Sequence, residues 1–179
     1  MDDQLELQLQ NILQKNRIVW GAVLFGMISL ILISVALYYL DIIDRLPVVH
    51  PQKADNIALF VILFFVLLIF YIKQTILTPA KLIEKSKKPG IELNNLLAPL
   101  ASDADEKKLT FLKCVQIFNK KMLIVWFLAD LVVLTAFVNF ILAPVLNKFI
   151  MYSFVGLFSL IINFPNLSIY KRVHRYLYE

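Results

Sequence analysis

The sequence predicts an all-α, polytopic membrane protein: four transmembrane helices laid out as two inserted hairpins, with both termini cytoplasmic. Three observations predict it. Of the 179 residues, 60% are hydrophobic and 17% charged, with mean hydropathy +0.74. Soluble domains sit nearer half apolar and a quarter charged. The charges are bunched, which leaves four long apolar runs between them. Lysine and arginine, finally, gather on one side of those runs.

The first 17 residues form an arm. Leu5, Leu9, Ile12 and Leu13 share one helical face and polar residues fill the rest. That pattern predicts a short amphipathic helix on the inner surface, or an end-piece leading into the first span. Residues 18–40 then run 23 positions without a charge. About 20 helical residues cross a hydrocarbon core of roughly 30 Å, so this run is long enough. It is too long for a signal-peptide core and no small-residue cleavage pattern follows, so it reads as a retained helix.

A short polar loop with Pro47, His50 and Pro51 follows. Residues 56–72 are uncharged, and the apolar character resumes past Lys73, whose ammonium can reach the headgroups while its stem stays in lipid. The second helix is therefore expected to stop at Pro79, closing a first hairpin over 18–79. Residues 80–121 form the cytoplasmic connection. Pro89-Gly90 marks a turn, and Ser102 is a candidate N-cap with acids behind it. Phe111, Val115 and Phe118 repeat at helical spacing and lead into the third run, 122–147, broken only by Asp130. A tight turn around Pro144 leads to the fourth, 149–170. The second hairpin thus covers 122–170, and a basic tail covers 171–179. Continuous apolar runs, rather than period-two alternation, exclude a β-barrel.

Fifteen of the 18 lysines and arginines fall on one side, 14 in the arm, the connection and the tail and Lys73 at the adjoining end of the second run; only Arg45, Lys53 and Lys148 fall on the other side. The positive-inside rule then places both termini and the connection in the cytoplasm, with a bacterial inner (plasma) membrane as the expected location. The net charge of +5 is read as this topology signal and not as a nucleic-acid footprint. Lys85, Lys87, Lys88, Lys120, Lys121, Lys171 and Arg172 are expected to meet anionic lipid, each contributing about 1 kcal/mol near the surface.

Asp130 is the outlier, eight residues into the third run. A carboxyl group at that depth costs about 2.5–3.5 kcal/mol on insertion scales. Two readings stay open: an ion or proton site, or a polar clasp between helices or subunits. Counting depth along an antiparallel pair sets Asn163 opposite Asp130, and contact or near-contact between them is expected. Small residues let membrane helices approach closely. Ala22, Gly26 and Ser29 on the first span, and Ser153 and Gly156 on the fourth, are the expected packing positions. Pro165 is expected to kink the fourth helix near Asn163. Ile18-Val19-Trp20 and Ile124-Val125-Trp126 open the first and third spans alike, which reads as a duplicated hairpin or as ordinary tryptophan placement at the headgroups.

No catalytic constellation, cofactor motif or metal-ligand spacing is found. The single cysteine, Cys114, excludes a disulfide within the chain; neighbouring Lys113 could depress its thiol pKa, or the residue is a plain small apolar side chain. The function expected is a non-catalytic accessory or scaffold subunit of a larger membrane assembly, with the bilayer and a membrane-protein partner or a second copy as its contacts. The alternative is a small oligomeric transporter or ion-conducting protein that uses Asp130.

Overall fold

The computed structural model describes residues 3–42, 51–88, 90–94, 97–101 and 104–178. Pro47, His50, Pro89 and Ser102 lie outside them. The described residues are helical and contain no strand. In chain order they form α1 (Asp3–Tyr39), α2 (Pro51–Tyr71), a π-helical turn (Ile72–Ile76), α3 (Pro79–Ser86), a 3₁₀ turn (Ala98–Ala101), α4 (Glu106–Leu142), α5 (Leu146–Ile161) and α6 (Ser168–Tyr178).

Among the described residues, three helices are long and apolar enough to cross a membrane: Leu5–Tyr39, Gln52–Ile76 and Glu106–Leu142. α5 is apolar but has only 16 residues, about 24 Å of helix. The helix expected to run unbroken over 149–170 is thereby corrected. Pro165 brings no N–H and its ring crowds the preceding turn, so the helix ends at Ile161 and the chain breaks instead of kinking. The Ile162, Asn163 and Phe164 N–H groups close the last turn onto the carbonyls of Phe158, Leu160 and Ile161. Asn166 then accepts from the Ser168 N–H at 3.0 Å and opens α6.

Helix boundaries elsewhere follow from local chemistry. The second helix does end before Pro79, through the π turn that Leu77 N–H closes onto the Ile72 carbonyl at 3.1 Å. Pro79 then starts α3, where its fixed φ and missing N–H are harmless. Gly90 takes φ +90°, a left-handed conformation that suits glycine. α4 starts later than expected. Asp105 caps it, accepting the Lys108 N–H at 2.7 Å.

The chain divides into two compact units. One joins residues 1–18, 71–124 and 165–179; the other joins 19–70 and 125–164. The first unit has a protein-like core of Leu9, Leu82, Phe111, Leu112, Cys114 and Tyr170, each at most 1% exposed. Leu5 and Leu13 of the arm are also buried there. Of the two readings of the arm, α1 matches the end-piece that leads into the first apolar run, since one helix covers Asp3–Tyr39; the arm's apolar face packs into protein and not onto a membrane surface, because the connection and tail supply the matching apolar stripes. Gln116 accepts the Asn94 N–H and donates to the Glu92 carbonyl, both at 2.9 Å, which ties the extended stretch 91–94 to α4. Asn119 accepts from Asn16 at 3.0 Å and from the Tyr170 hydroxyl. Burial pushes the Tyr170 phenol up to about 12.

The second unit packs Ile62 of α2, Val132, Ala136 and Phe140 of α4, and Phe149 and Tyr152 of α5. The rings of Phe140 and Phe149 stack at 4.7 Å. Its outward residues are large and apolar, with Phe60 at 81% exposure and Phe25 at 74%. Water would penalise such a surface, whereas lipid tails do not.

Candidate functional site

Two polar sites interrupt the apolar interior of the second unit. The first is built on Asp55 in the opening turns of α2. Lys148 donates to Asp55 Oδ2 at 2.6 Å. Tyr152, one turn further along α5, donates its hydroxyl to Oδ1 at 3.1 Å. Asn139 of α4 donates its amide to the same oxygen at 3.3 Å. One carboxylate thus accepts from two other helices, and a pocket of about 310 Å³ lined by Gln52, Asp55, Ala143, Val145 and Lys148 opens beside it. The Asp55 side chain is only 15% exposed, so the charge-assisted bonds are partly shielded from water and stronger than at a surface. The arrangement holds three helix ends together.

This cluster was not found from the sequence, where Asp55 and Lys148 read as loop charges. A signal was present. Asp55 is the one acidic residue of α2, and Lys148 the one basic residue of α5.

The second site is the broken end of α5. The indole N–H of Trp126 donates to the Asn163 carbonyl at 2.9 Å, and that of Trp20 donates to the Leu160 carbonyl at 3.0 Å. Trp20 also meets Phe164 edge-on at 5.0 Å. Helix termini leave carbonyls without intrahelical donors; Trp126 supplies one to Asn163, and Trp20 adds a second donor to Leu160, whose carbonyl already accepts the Asn163 N–H. The Asn163 side-chain amide bonds back to the Ser159 carbonyl at 2.6 Å. Trp126 is buried, so a headgroup role for it is corrected.

Asn163 pairs with Trp126 and with its own helix. No hydrogen bond joins it to Asp130. The hydrogen-bond partner of Asn163 on α4 is Trp126, four residues before Asp130. The depth count took the fourth helix as unbroken to Tyr170, but it ends at Ile161. Asp130 is half-buried and has no hydrogen bond or ion pair among the described residues.

The small residues divide. Gly156 is buried against α4: a Cβ there would stand 2.6 Å from Val133 Cγ2 and 3.0 Å from the Ala129 carbonyl oxygen. Ser153 is buried too, its hydroxyl unpartnered. Ala22 and Gly26 are exposed, with nothing within 4 Å of a Gly26 Cβ, and Ser29 is half-buried. Helix packing through Ala22 and Gly26 is therefore corrected; α1 turns Met27 and Ser34 inward instead.

Among the basic residues, Lys87, Lys88, Lys120 and Arg172 are exposed, and Lys85 and Lys121 are half-buried. Lys171 pairs with Glu6 at 3.1 Å, so an intrachain acid already holds it. Cys114 lies in the first unit, ahead of the span expected from Met122. It is buried at 1% exposure, which fits the plain small apolar side chain of the two readings. No group of three or more His, Cys, Asp or Glu among the described residues could hold a metal ion.

No protein-family model matches the chain, and neither a curated protein nor a solved structure matches it.

Proposed function

We propose that the chain is a multi-pass membrane protein that works as a non-catalytic accessory or scaffold subunit of a larger membrane assembly. The observation that carries the reading is Asp130, a carboxyl group inside a long apolar helix with no hydrogen-bond or ion-pair partner among the described residues. Such a group is costly in hydrocarbon unless something satisfies it, and a partner outside the chain would do so. The outward apolar side chains of α2 and α4 give such a partner a surface to meet.

In this reading α1, α2, α4 and α5 cross the plasma membrane, taken as a bacterial inner membrane, and the short α5 is completed by the residues around its break. Both termini and the connection face the cytoplasm. Support comes from the partition of charge: 15 of the 18 lysines and arginines belong to the unit made of residues 1–18, 71–124 and 165–179. Exposed Lys87, Lys88, Lys120 and Arg172 would meet anionic headgroups. Extraction in mild detergent followed by mass measurement of the intact particle tests the subunit role. The expected result is a complex heavier than one chain; a homogeneous 20.7 kDa monomer overturns it. Protease added outside sealed cells should leave a C-terminal tag intact, and cleavage there overturns the topology.

The same unpartnered carboxyl group favours a second reading, a small oligomeric transporter in which Asp130 takes up and releases a cation. Asp130→Asn separates the two. It keeps hydrogen bonding but cannot titrate, so assembly survives in both cases and transport is lost only in the second.

A further inference from the structure

We infer that Asp130 is a self-pairing clasp through which two copies of this chain associate along the outward face of α4. The inference rests on the membrane-subunit reading above and names its partner as a second copy. α4 carries an apolar stripe of Leu123, Phe127, Leu134 and Val138, exposed by 43%, 60%, 43% and 50%. At about 100° per residue these four and Asp130 share an arc of about 80°. Their three- and four-residue spacing is that of a helix–helix seam. A single polar position in such a seam sets register and the number of helices that meet. Asp130 is the one polar member of the stripe.

Chemistry selects the occupant. Hydrocarbon tolerates a carboxyl group best as the uncharged acid, which carries one O–H donor and one carbonyl acceptor. Two copies related by a two-fold axis bring like faces together. Each Asp130 then donates its O–H to the other's carbonyl oxygen, and both groups are satisfied without a third residue. The apolar members of the stripe meet apolar members, so the contact sets no like charges against each other.

Cysteine cross-linking in native membranes tests this. With Cys114→Ala as background, the chain has no other thiol. Phe127→Cys and Leu134→Cys should each form copy-to-copy disulfides on mild oxidation, and Phe64→Cys, exposed on α2, should not. Adding Asp130→Leu to Leu134→Cys should cut the cross-linked fraction by about tenfold, in line with interhelical hydrogen bonds of up to about 1.7 kcal/mol. Asp130→Asn, which can also pair with itself, should retain most of it. Equal cross-linking at Phe64→Cys, none on α4, or indifference to Asp130→Leu overturns the clasp and leaves the membrane reading standing. Reaction of the Leu134→Cys thiol with a membrane-impermeant maleimide overturns both.

Discussion

The Trp126 indole N–H donates to the backbone carbonyl of Asn163 at 2.9 Å, in the buried gap where α5 ends. Trp20 does the same for Leu160, three residues earlier. The two tryptophans of the sequence echo thus serve one helix end: Trp126 gives the Asn163 carbonyl its donor, and Trp20 adds a second to the Leu160 carbonyl, which also accepts the Asn163 N–H. Trp126→Phe keeps a ring but leaves a buried carbonyl unpaired, at a cost of about 1–3 kcal/mol. Trp20 is only half-buried, so Trp20→Phe should cost about 0.5–1.5 kcal/mol, water or headgroups compensating in part. Denaturant unfolding in detergent micelles checks the order. Equal costs for the two would show that the indole donors are not what matters.

Asp55 should behave as a clamp. Asp55→Ala leaves the Tyr152 hydroxyl and Asn139 amide without their acceptor and Lys148 without its counter-charge. The expected loss is about 1–3 kcal/mol. Lys148 is 47% exposed, so Lys148→Ala should cost less, about 0.2–1 kcal/mol. Unfolding midpoints of the two variants, measured side by side, check this ranking.

Gly156 and Gly26 should respond to alanine in opposite directions. At Gly156 the new methyl meets Val133 Cγ2 at 2.6 Å and the Ala129 carbonyl oxygen at 3.0 Å. The backbone oxygen cannot move cheaply, and such overpacking costs about 1–3 kcal/mol. At Gly26 nothing stands within 4 Å, and alanine in a helix interior gains about 0.5–1 kcal/mol over glycine. Thermal unfolding of both variants decides it; a stabilised Gly156→Ala would contradict the close approach of α4 and α5.

Tyr170 gives a pH dependence. Its phenol lies in α6, outside the apolar helices, and burial raises it from 10.0 to about 12. A raised folded-state pKa favours the protonated form in the folded chain, so its contribution is complete below pH 10 and is lost as pH rises through about 12. A spectroscopic titration should show one of the seven tyrosines ionising last, as the first unit loosens. Tyr170→Phe should remove that late step and no other.

How much of this was readable along the chain depends on the kind of quantity. Hydropathy and charge add residue by residue, so the all-helical character, the apolar lengths of α1, α2 and α4, and the gathering of lysine and arginine were legible without coordinates. Pro79 and Pro165 marked interruptions for the same reason: a missing N–H is a local fact. Whether Pro165 kinked the helix or ended it was not local. It shows only in the neighbours of the helix end, where Trp20 of α1 and Trp126 of α4 donate to the Leu160 and Asn163 carbonyls. The hydrogen-bond partner of Asn163 on α4 is thus Trp126, four residues before Asp130.

The tertiary structure alone decided which small residues pack, since Gly26 and Gly156 look alike in sequence and differ in what stands beside them. It alone joined Asp55 to Lys148, residues 93 positions apart. It also turned the amphipathic arm inward, because an apolar stripe takes whichever apolar surface is nearest, and that surface was protein. One-dimensional sums select the solvent for each segment; neighbours and register, which only three dimensions contain, select the partner.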